Sequence, residues 1–421
     1  MHHHRSAFIL ALGLLVASPC LSATPLFRVE AESAKSSPTQ ARTWVVGIDD
    51  RLDLAGADTL ELTLPGHAPL RAERRELRVH GEGQTWHGLV RGKPATFTRV
   101  GGRVHGDFHV GLDHYTLSSE RGRTVLALSS RQSIRRDVET PAPASASAMP
   151  VPHAAPKAAN ASVEIRILVA HTDAALAASG SSADLTSAAQ FMVEQMNAIF
   201  ARSVAAEIRF TLAGLQRVAY ADGIDSDVAL QQLSNDADVA ATRDALGADI
   251  VVLLVEHTDF SGRAYMPNTL HVGNAVVAFA VVARSYGLTD YTFAHEVGHV
   301  MGLDHGGGGV SGGAFPWGQG HVGYVDSAAG YPEGFVTVMA NIGLCGGSPP
   351  CHYVPYFSNP ELTDPEPPVR GRALGEIDLA DSARALRDAA ATIAQYRDDP
   401  ATVPANDELL YANFEESDAL R

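Results

Sequence analysis

Three histidines, one glutamate and one glycine stand at fixed spacings within a short part of the chain. His295 and His299 are four residues apart, so on a helix both side chains project from one face and can bind a single metal ion. Gly302 has no Cβ and tolerates positive φ, so the backbone can turn there and return His305 as a third imidazole. Three protein ligands leave one coordination position open, which is typical of a catalytic zinc site rather than a structural one.

Glu296 directly follows the first of these histidines and is the predicted general base. Water bound to Zn²⁺ has a pKa of about 7, and a carboxylate beside it can take its proton and deliver it to a leaving amine. The spacing therefore predicts hydrolysis of an amide bond through a zinc-bound water. The alternative is a set of scattered structural histidines, but chance gives this spacing on the order of once in several thousand such sequences.

The secondary structure around this motif must present it on a helix. We expect that helix to begin near Thr289 or Asp290, either of which can cap it, and to end at Gly302. Periodicity predicts strands at residues 163–170, 206–212, 249–255 and 276–283, and helices at residues 184–202, 225–246 and 378–397. Helices that alternate with strands favour a mixed sheet with helices packed on it.

The rest of the chain divides by composition. Short alternating strands broken by glycine predict a small β-rich unit, and a Pro/Ala/Ser-rich run after it predicts a flexible linker. We expect a signal peptide at residues 1–23, a β-rich prodomain at residues 24–137, a linker at residues 138–162, a catalytic domain at residues 163–397 and an acidic, mostly disordered tail at residues 398–421.

The N-terminus and the charge restrict the compartment and the partners. Arg5 precedes the apolar residues 8–17, which are too few to cross a bilayer and are typical of a signal peptide. We therefore expect a secreted or periplasmic protein that has no membrane contact after cleavage and acts as a monomer. The formal net charge of −16 argues against nucleic-acid partners, which need clustered basic residues.

Cysteine usage agrees with export. The chain has 3 cysteines, and Cys20 lies inside the predicted signal peptide. Cys345 and Cys351 remain, six residues apart in a Gly/Pro-rich stretch, where an exported protein is expected to form a disulfide.

The segment from His295 to His305 resembles the zinc motif of the metzincin peptidases. Residues 337–340 stand where that family has a Met-containing turn, and the stretch of residues 320–360 and the helix at residues 381–386 resemble bacterial reprolysin-like (M12-type) peptidases, including the peptidyl-Asp type. The resemblance covers about residues 163–397. It implies an α+β fold with a metzincin-like mixed twisted sheet, an active-site helix and a C-terminal helical subdomain, preceded by the small β-rich prodomain.

The resemblance also implies a function and supporting residues. Met339 should support the zinc ligands by packing, and residues 276–283 should be the edge strand along which a peptide substrate lies antiparallel; an ordinary buried strand is the alternative. The expected function is a secreted zinc-dependent endopeptidase, made as a proenzyme, that acts on protein or peptide substrates. The alternatives are a zinc amidase acting on cell-wall peptides and an inactive secreted binding protein on the same scaffold.

Several side chains remain open between two interpretations. No tyrosine follows Met339 at the short spacing of some relatives, so an oxyanion-stabilising group is unassigned, with Tyr353 and Tyr356 as weak candidates. Asp304 either hydrogen-bonds an imidazole or faces solvent. The acidic residues 222–227 and 236–238 either bind Ca²⁺, for which the sequence gives no support, or form a solvated helix face.

The sequence also leaves open how the predicted prodomain would keep the enzyme inactive. No cysteine lies in the predicted prodomain, so Asp107 is a weak candidate for a group that blocks the zinc, and an ordinary β-turn is favoured instead. His105, His109 and His114 have neither helical nor tight-loop ligand spacing, which predicts surface histidines rather than a second metal site.

Overall fold

The computed structural model of the protein describes residues 23–34, 40–81, 83–129, 137–141, 162–204, 208–306, 311–324, 333–345, 351–363, 373–398 and 400. The predicted signal peptide, most of the predicted linker and nearly all of the predicted acidic tail therefore lie outside the described residues. Among the described residues, no helix is both long and apolar enough to cross a bilayer.

The N-terminal part of the chain folds into one ten-stranded sheet. Its strands are β1 (Thr24–Pro25), β2 (Arg28–Ser33), β3 (Gln40–Gly47), β4 (Thr59–Leu62), β5 (Leu70–His80), β6 (Gly83–Val90), β7 (Lys93–Val100), β8 (Arg103–Val110), β9 (Asp113–Glu120) and β10 (Arg123–Ser129). The strand order is β1-β4-β5-β6-β7-β8-β9-β10-β3-β2. From β4 to β10 each strand is antiparallel to the next, so consecutive strands are joined as hairpins.

The two faces of this sheet bury different side chains. One face carries a hydrophobic core that includes Trp86, Phe97, Phe108 and Tyr115. The other face carries polar side chains and packs on a long helix of the second part of the chain. Two-residue turns such as Arg91-Gly92, with φ of 51° and 87°, join the strands with the twist that hairpins require.

The second part of the chain alternates strands and helices. Its first elements are β11 (Asp137–Pro141), β12 (Val163–His171), α1 (Asp173–Ser179), α2 (Ser182–Ser203), β13 (Ile208–Arg217), α3 (Ser226–Asn235), α4 (Ala237–Ala245), β14 (Ile250–Val255), β15 (Gly262–Met266), a 3₁₀ helix (Val272–Val277), β16 (Phe279–Ala283), α5 (Arg284–Thr289) and α6 (Thr292–Val300). The chain continues through β17 (Val322–Gly323), β18 (Gly334–Val336), a 3₁₀ helix (Ile342–Cys345), β19 (Cys351–Tyr353), β20 (Asn359–Thr363), β21 (Ala373–Leu374) and α7 (Ser382–Ile393).

A six-stranded sheet organises this part, in the order β11-β15-β16-β14-β12-β13. All neighbouring strands are parallel except β15 and β16, which are antiparallel. Helices α2, α6 and α7 pack on one face, and α3 and α4 pack on the other. Because both faces are covered, the central strand β14 is apolar and buried throughout. The predicted mixture of helices and strands is confirmed.

Of the two interpretations of residues 276–283, the edge strand is wrong and the ordinary buried strand is confirmed. The first two of these residues lie in the 3₁₀ helix, and the remainder forms β16, which pairs with β14 on one side and β15 on the other. All five residues of β16 are apolar and buried, as is typical of an interior strand.

The outer side of β15 is paired with β11. The two strands run parallel, from Asp137 opposite Gly262 to Pro141 opposite Met266. The start of the predicted linker therefore forms a strand of the second sheet, since the unpaired backbone groups of β15 offer it hydrogen bonds.

Several helix boundaries differ from the prediction. Residues 225–246 form two helices, because the carboxylate of Asp236 ends α3 and caps α4 by accepting from the backbone N–H groups of Asp238 and Val239 at 2.9 and 3.0 Å. Helix α6 begins at Thr292, after Tyr291 in the left-handed region at φ 65°, rather than at a capping residue. Helix α7 is shorter than predicted.

The predicted disulfide is present. It joins Cys345 to Cys351, whose Cα atoms are 6.0 Å apart. Cys345 ends the second 3₁₀ helix and Cys351 begins β19, so the bond closes the loop between β18 and β19.

Candidate active site

Helix α6 and the turn after it bring three imidazoles together. His295 and His299 lie one turn apart on α6, and Gly302, at φ +87°, reverses the chain. His305 then returns to the helix. Each of the three Nε2 atoms lies 3.0 Å from the other two. The spacing in the sequence and the geometry of the structure thus bring the same three residues together.

The other ring nitrogen fixes the orientation of two of these histidines. His295 Nδ1 donates to the carbonyl oxygen of Val338 at 2.7 Å, and His299 Nδ1 donates to that of Leu303 at 2.8 Å. In a neutral imidazole whose Nδ1 carries the proton, Nε2 has a lone pair. The lone pairs of His295 and His299 therefore point toward a common region, where a cation offsets their repulsion.

This donor set fits a zinc ion. Zn²⁺ binds histidine nitrogen at about 2.0–2.1 Å, and nitrogen atoms 3.0 Å apart can all reach one ion at that length. Ligating histidines usually donate their second N–H to a carbonyl or a carboxylate, as two of these histidines do.

Met339 packs against α6 at Gly298. A Cβ atom added to Gly298 would lie 2.5 Å from Met339 Sδ, so only glycine leaves room for the sulfur at this point of the helix. Val338, one residue earlier, supplies the carbonyl that accepts from His295. The predicted Met-containing turn therefore packs against the helix at the residue between the two histidines of α6, as support by packing would require.

Glu296 projects from α6 toward strand β15. Its side chain is fully buried. A Cβ atom at Gly262, the first residue of β15, would overlap the Glu296 carboxylate, so the absence of a side chain at Gly262 makes room for it. Sequence reasoning did not single out Gly262. A lone glycine at the start of a short strand carries no local signal of what packs against it.

Asp304 orders the return loop rather than an imidazole. One carboxylate oxygen accepts from the backbone N–H of His305 at 2.7 Å and the other from that of Gly312 at 2.6 Å. The segment after the Met-containing turn is held by Val338, whose N–H donates to the carbonyl oxygen of Tyr356 at 2.8 Å. The Tyr356 ring faces Arg202, with 5.9 Å between the guanidinium carbon and the ring centroid.

The acidic stretches serve as caps and loop anchors. Asp222 accepts from the backbone N–H groups of Glu256 at 2.9 Å and His257 at 2.8 Å. Asp225 caps α3 by accepting from the N–H of Asp227 at 2.8 Å. These hydrogen bonds account for the two carboxylates without a calcium ion.

The prediction of surface histidines in the N-terminal sheet is wrong. His105 is fully buried against α2, where its Nδ1 donates to Ser187 Oγ at 3.0 Å and its Nε2 accepts from the backbone N–H of Ser119 at 3.2 Å. Burial lowers the pKa of His105 to about 3. Burial also lowers the pKa of His87, on the same face of the sheet, to about 3. Both imidazoles are therefore neutral near pH 7.

Asp107 does not join His295, His299 and His305. It lies beside His109 and His114, with which it forms a second group of side chains able to hold a metal ion. The two histidines flank the turn between β8 and β9 and face each other across the hairpin. The two-residue turn that starts at Gly111 is the sequence signal that could have placed them opposite each other.

Ion pairs between described residues join the N-terminal sheet to the second part of the chain. Their lengths are 3.7, 2.8 and 3.0 Å, and the pairs are Arg78–Glu194, Arg103–Asp184 and Arg284–Glu120. The carboxylate of Glu194 and the guanidinium of Arg284 are almost fully buried. Burial raises the pKa of both Glu194 and Glu120, although the arginines oppose this shift. The contact is therefore polar and enclosed.

Fold and site together define a class: a protein of mixed helices and strands with a three-histidine group of metallopeptidase type. Residues 186–306 match the sequence profile of the reprolysin-like metallo-peptidase family M12B. This segment includes all three histidines and Glu296. The predicted relationship to reprolysin-like metallopeptidases is confirmed. The family implies a bound metal ion.

The chain is also similar to proteins whose names state a metalloendopeptidase activity. The chain is 30% identical over 241 residues to a peptidyl-Asp metalloendopeptidase of Stenotrophomonas maltophilia (strain R551-3), an alignment that covers 55% of this chain and about half (52%) of the relative. It is 26% identical over 392 residues to a peptidyl-Asp metalloendopeptidase of Xanthomonas campestris pv. campestris, covering 86% of this chain and 87% of the relative. The crystal structure of metalloproteinase-II from Bacteroides fragilis aligns at 10% identity over 62% of this chain and 85% of that one, with a TM-score of 0.36 that is too low for a comparison of topology.

Proposed function

We propose that the chain is an exported zinc-dependent endopeptidase that is made as a proenzyme. The observation that carries this proposal is the convergence of three Nε2 atoms, 3.0 Å apart, at the helix that also bears the buried Glu296: two belong to histidines of α6 and the third to His305 of the turn after it. His295, His299 and His305 would hold the zinc. Zinc, when bound, supplies a Lewis acid and lowers the pKa of water to about 7.

The residues of the chain would divide the remaining work. Glu296 accepts a proton from the attacking water and later delivers it to the leaving amine. Gly262 leaves the space in which the Glu296 carboxylate is held against β15. Met339 holds the helix from below, and the Val338 carbonyl fixes the ring of His295. No covalent intermediate with the protein is required.

Strand β15 is the proposed binding edge for the peptide substrate. It is the antiparallel outer strand of the catalytic sheet once β11 is set aside, and its first residue borders Glu296. An extended peptide can add to such an edge through main-chain hydrogen bonds. This edge replaces the one predicted from the sequence.

The proenzyme proposal draws on β11. This strand occupies the outer side of β15 and runs parallel to it, opposite to the antiparallel direction expected of a substrate. Its N-terminal end lies beside Gly262 and therefore near Glu296. A substrate strand and β11 need the same backbone groups of β15, so β11 must leave before catalysis. Cleavage between β11 and β12, within the predicted linker, is the proposed first step of activation.

The names of the relatives suggest a cleavage preference. Both relatives are called peptidyl-Asp metalloendopeptidases. We extend this preference to the present chain and expect cuts at peptide bonds beside aspartate. The sequence alone supplied no basic residue placed clearly enough to predict it.

The experiment is hydrolysis of an unstructured protein by the purified chain, before and after limited proteolysis between β11 and β12. The reaction is run with zinc, with a chelator and with Glu296→Gln, and cut sites are mapped by mass spectrometry. Activity that appears after proteolysis, needs zinc and falls by about 10²–10⁴-fold in Glu296→Gln supports the proposal. A zinc-loaded protein that cuts only cell-wall peptides supports the amidase alternative, and one that cuts nothing supports a binding protein.

A further inference from the structure

The hairpin of β8 and β9 carries a second group of metal-ligating side chains, separate from the candidate active site. Asp107 and His109 lie two residues apart on β8, and His109 faces His114 on β9. Residues with this register project from the same face of a sheet. One ligand atom from each of the three side chains lies within 4.8 Å of the other two.

This group is largely buried between the N-terminal sheet and Tyr291. Asp107 is 6% exposed, and the His114 side chain is 13% exposed. The His114 ring stacks on the His109 ring, with 4.3 Å between centroids, and lies 5.5 Å from the ring of Tyr291. Tyr291 is the residue immediately before α6. The group therefore lies where the two parts of the chain meet.

One ring nitrogen of the group is buried without a hydrogen bond from the described residues. This nitrogen is Nε2 of His114. It lies 3.5 Å from Asp107 Oδ2, beyond the usual 2.7–3.2 Å of an N–H···O hydrogen bond. Two ligand atoms bound to one zinc at about 2.0–2.2 Å can have such a separation. A buried nitrogen beside a carboxylate is unfavourable unless a proton or a metal ion lies between them.

We propose that Asp107, His109 and His114 form a second metal site, which binds a divalent transition-metal ion such as Zn²⁺. One carboxylate and two imidazoles are a donor set that such ions accept, whereas Ca²⁺ and Mg²⁺ prefer oxygen ligands alone. The two stacked rings must open for both to bind, by rotation about the Cβ–Cγ bond, a torsion whose energy minima are broad. All three ligands belong to the N-terminal sheet, so the site does not depend on the proposed activity.

The test removes the candidate active site and asks what metal binding remains. The full chain is prepared with His295→Ala and His299→Ala, and with alanine in place of the histidines at positions 2–4. Zinc binding is measured by titration calorimetry, and the Tm is measured with and without zinc. We expect one equivalent of zinc to bind and the Tm to rise by several degrees at saturating metal. Adding His114→Ala to this protein should abolish both effects.

Two further variants separate the site from adventitious binding. Asp107→Asn keeps the shape of the carboxylate but removes its charge, and should weaken zinc binding by about tenfold or more, since even changes to outer partners of a metal site cost about 10–100-fold. His67→Ala removes an exposed histidine in the loop between β4 and β5 and should change nothing. Circular dichroism of the metal-free proteins checks folding. If His114→Ala does not fold, zinc binding by Asp107→Asn is the measurement that tests the site.

Two results would overturn the proposal. The first is a folded protein lacking His295 and His299 that binds no zinc, which is what a protonated His114 paired with Asp107 predicts. The second is zinc binding that persists unchanged in His114→Ala and Asp107→Asn. Neither result bears on the proposed endopeptidase, whose test depends on Glu296 and on hydrolysis.

Discussion

Two groups of histidines lie on either side of the contact between the N-terminal sheet and the catalytic sheet, and they are built by different means. In the α6 group, helix geometry and one glycine turn set three imidazoles 3.0 Å apart, and backbone carbonyls orient two of them. In the hairpin group, strand register brings His109 and His114 together, and their rings stack instead of converging. The first group is pre-organised for a metal, whereas the second must rotate its rings to accept one.

The largest expected effect comes from removing one imidazole of the pre-organised group. His299→Ala leaves two protein ligands, which are too few to retain a catalytic zinc ion, so hydrolysis by the proteolytically activated protein should fall below detection. Zinc content, measured on the same sample by mass spectrometry, should fall by one equivalent. His67→Ala, which removes an exposed histidine, is the matched control and should retain full activity. Full activity in His299→Ala would exclude the proposed zinc site.

The next largest effect concerns the position of Glu296, the proposed general base. In Gly262→Ala, the new methyl group overlaps the position of the Glu296 carboxylate and must displace it. A misplacement of about 1 Å can cost about 10²-fold in rate, so we expect kcat to fall by that order with little change in KM. Zinc content should stay the same, because Glu296 is not a ligand.

A matched glycine distinguishes this displacement from a general loss of flexibility. Gly343→Ala places a methyl group 3.0 Å from the side-chain oxygen of Asn341, which can move away. We expect wild-type kcat in this variant. Equal losses in Gly343→Ala and Gly262→Ala would refute a specific role for Gly262.

The α6 group could be predicted from the sequence because all of its determinants are local. The spacing of His295 and His299 needs only the helix period, and the position of His305 needs only one turn. The resemblance to metzincins added Met339, and the structure places its sulfur against α6. The roles of these residues in catalysis await the experiments above.

The hairpin group and the sheet edge were not predicted, because both depend on strand pairing. Asp107 and His109 meet His114 through register, and no spacing rule for metal ligands covers that arrangement. Strand β15 contains a glycine and an arginine in its five residues, so periodicity did not predict it. The family resemblance instead offered residues 276–283, which include β16, as the edge, with an ordinary buried strand as the alternative. Local hydrophobicity reports burial, but not the order of strands in a sheet.

A smaller effect concerns the packing of Met339 against α6. In Gly298→Ala, the added methyl group meets Met339 Sδ and forces the buried methionine or the helix to shift. Overpacking of this kind costs about 1–3 kcal/mol of stability. Urea denaturation of the zinc-free protein should show that loss. Met339→Ala removes the clash, so in that background Gly298→Ala should cost no further stability. A penalty of the same size in both backgrounds would show that the two residues do not interact.

The smallest effect concerns the histidines that surround the hairpin group on the face that packs on α2. The pKa of His105 is about 3 in the folded protein, against 6.5 for a free histidine, so the unfolded chain binds a proton that the folded chain does not between these pH values. The stability contributed by neutral His105 is fully present above pH 6.5 and is lost as the pH falls toward 3, by up to about 1.4 kcal/mol per pH unit. The raised pKa values of Glu120 and Glu194 change the free energy of unfolding in the opposite direction as the pH falls. The pH dependence of the wild type alone therefore does not report on His105.

The informative quantity is therefore the difference between His105→Gln and the wild type. Glutamine cannot take up the proton, so the free energy of unfolding of this variant should be lower than that of the wild type at pH 7 and should approach it as the pH falls to 4.5. Urea denaturation at pH 7, 6, 5 and 4.5 measures this convergence, and His67→Gln, which changes an exposed histidine, should run parallel to the wild type. Parallel curves for His105→Gln as well would mean that His105 is protonated in the folded protein, and that the polar face of the N-terminal sheet is more accessible to solvent than its burial against α2 implies.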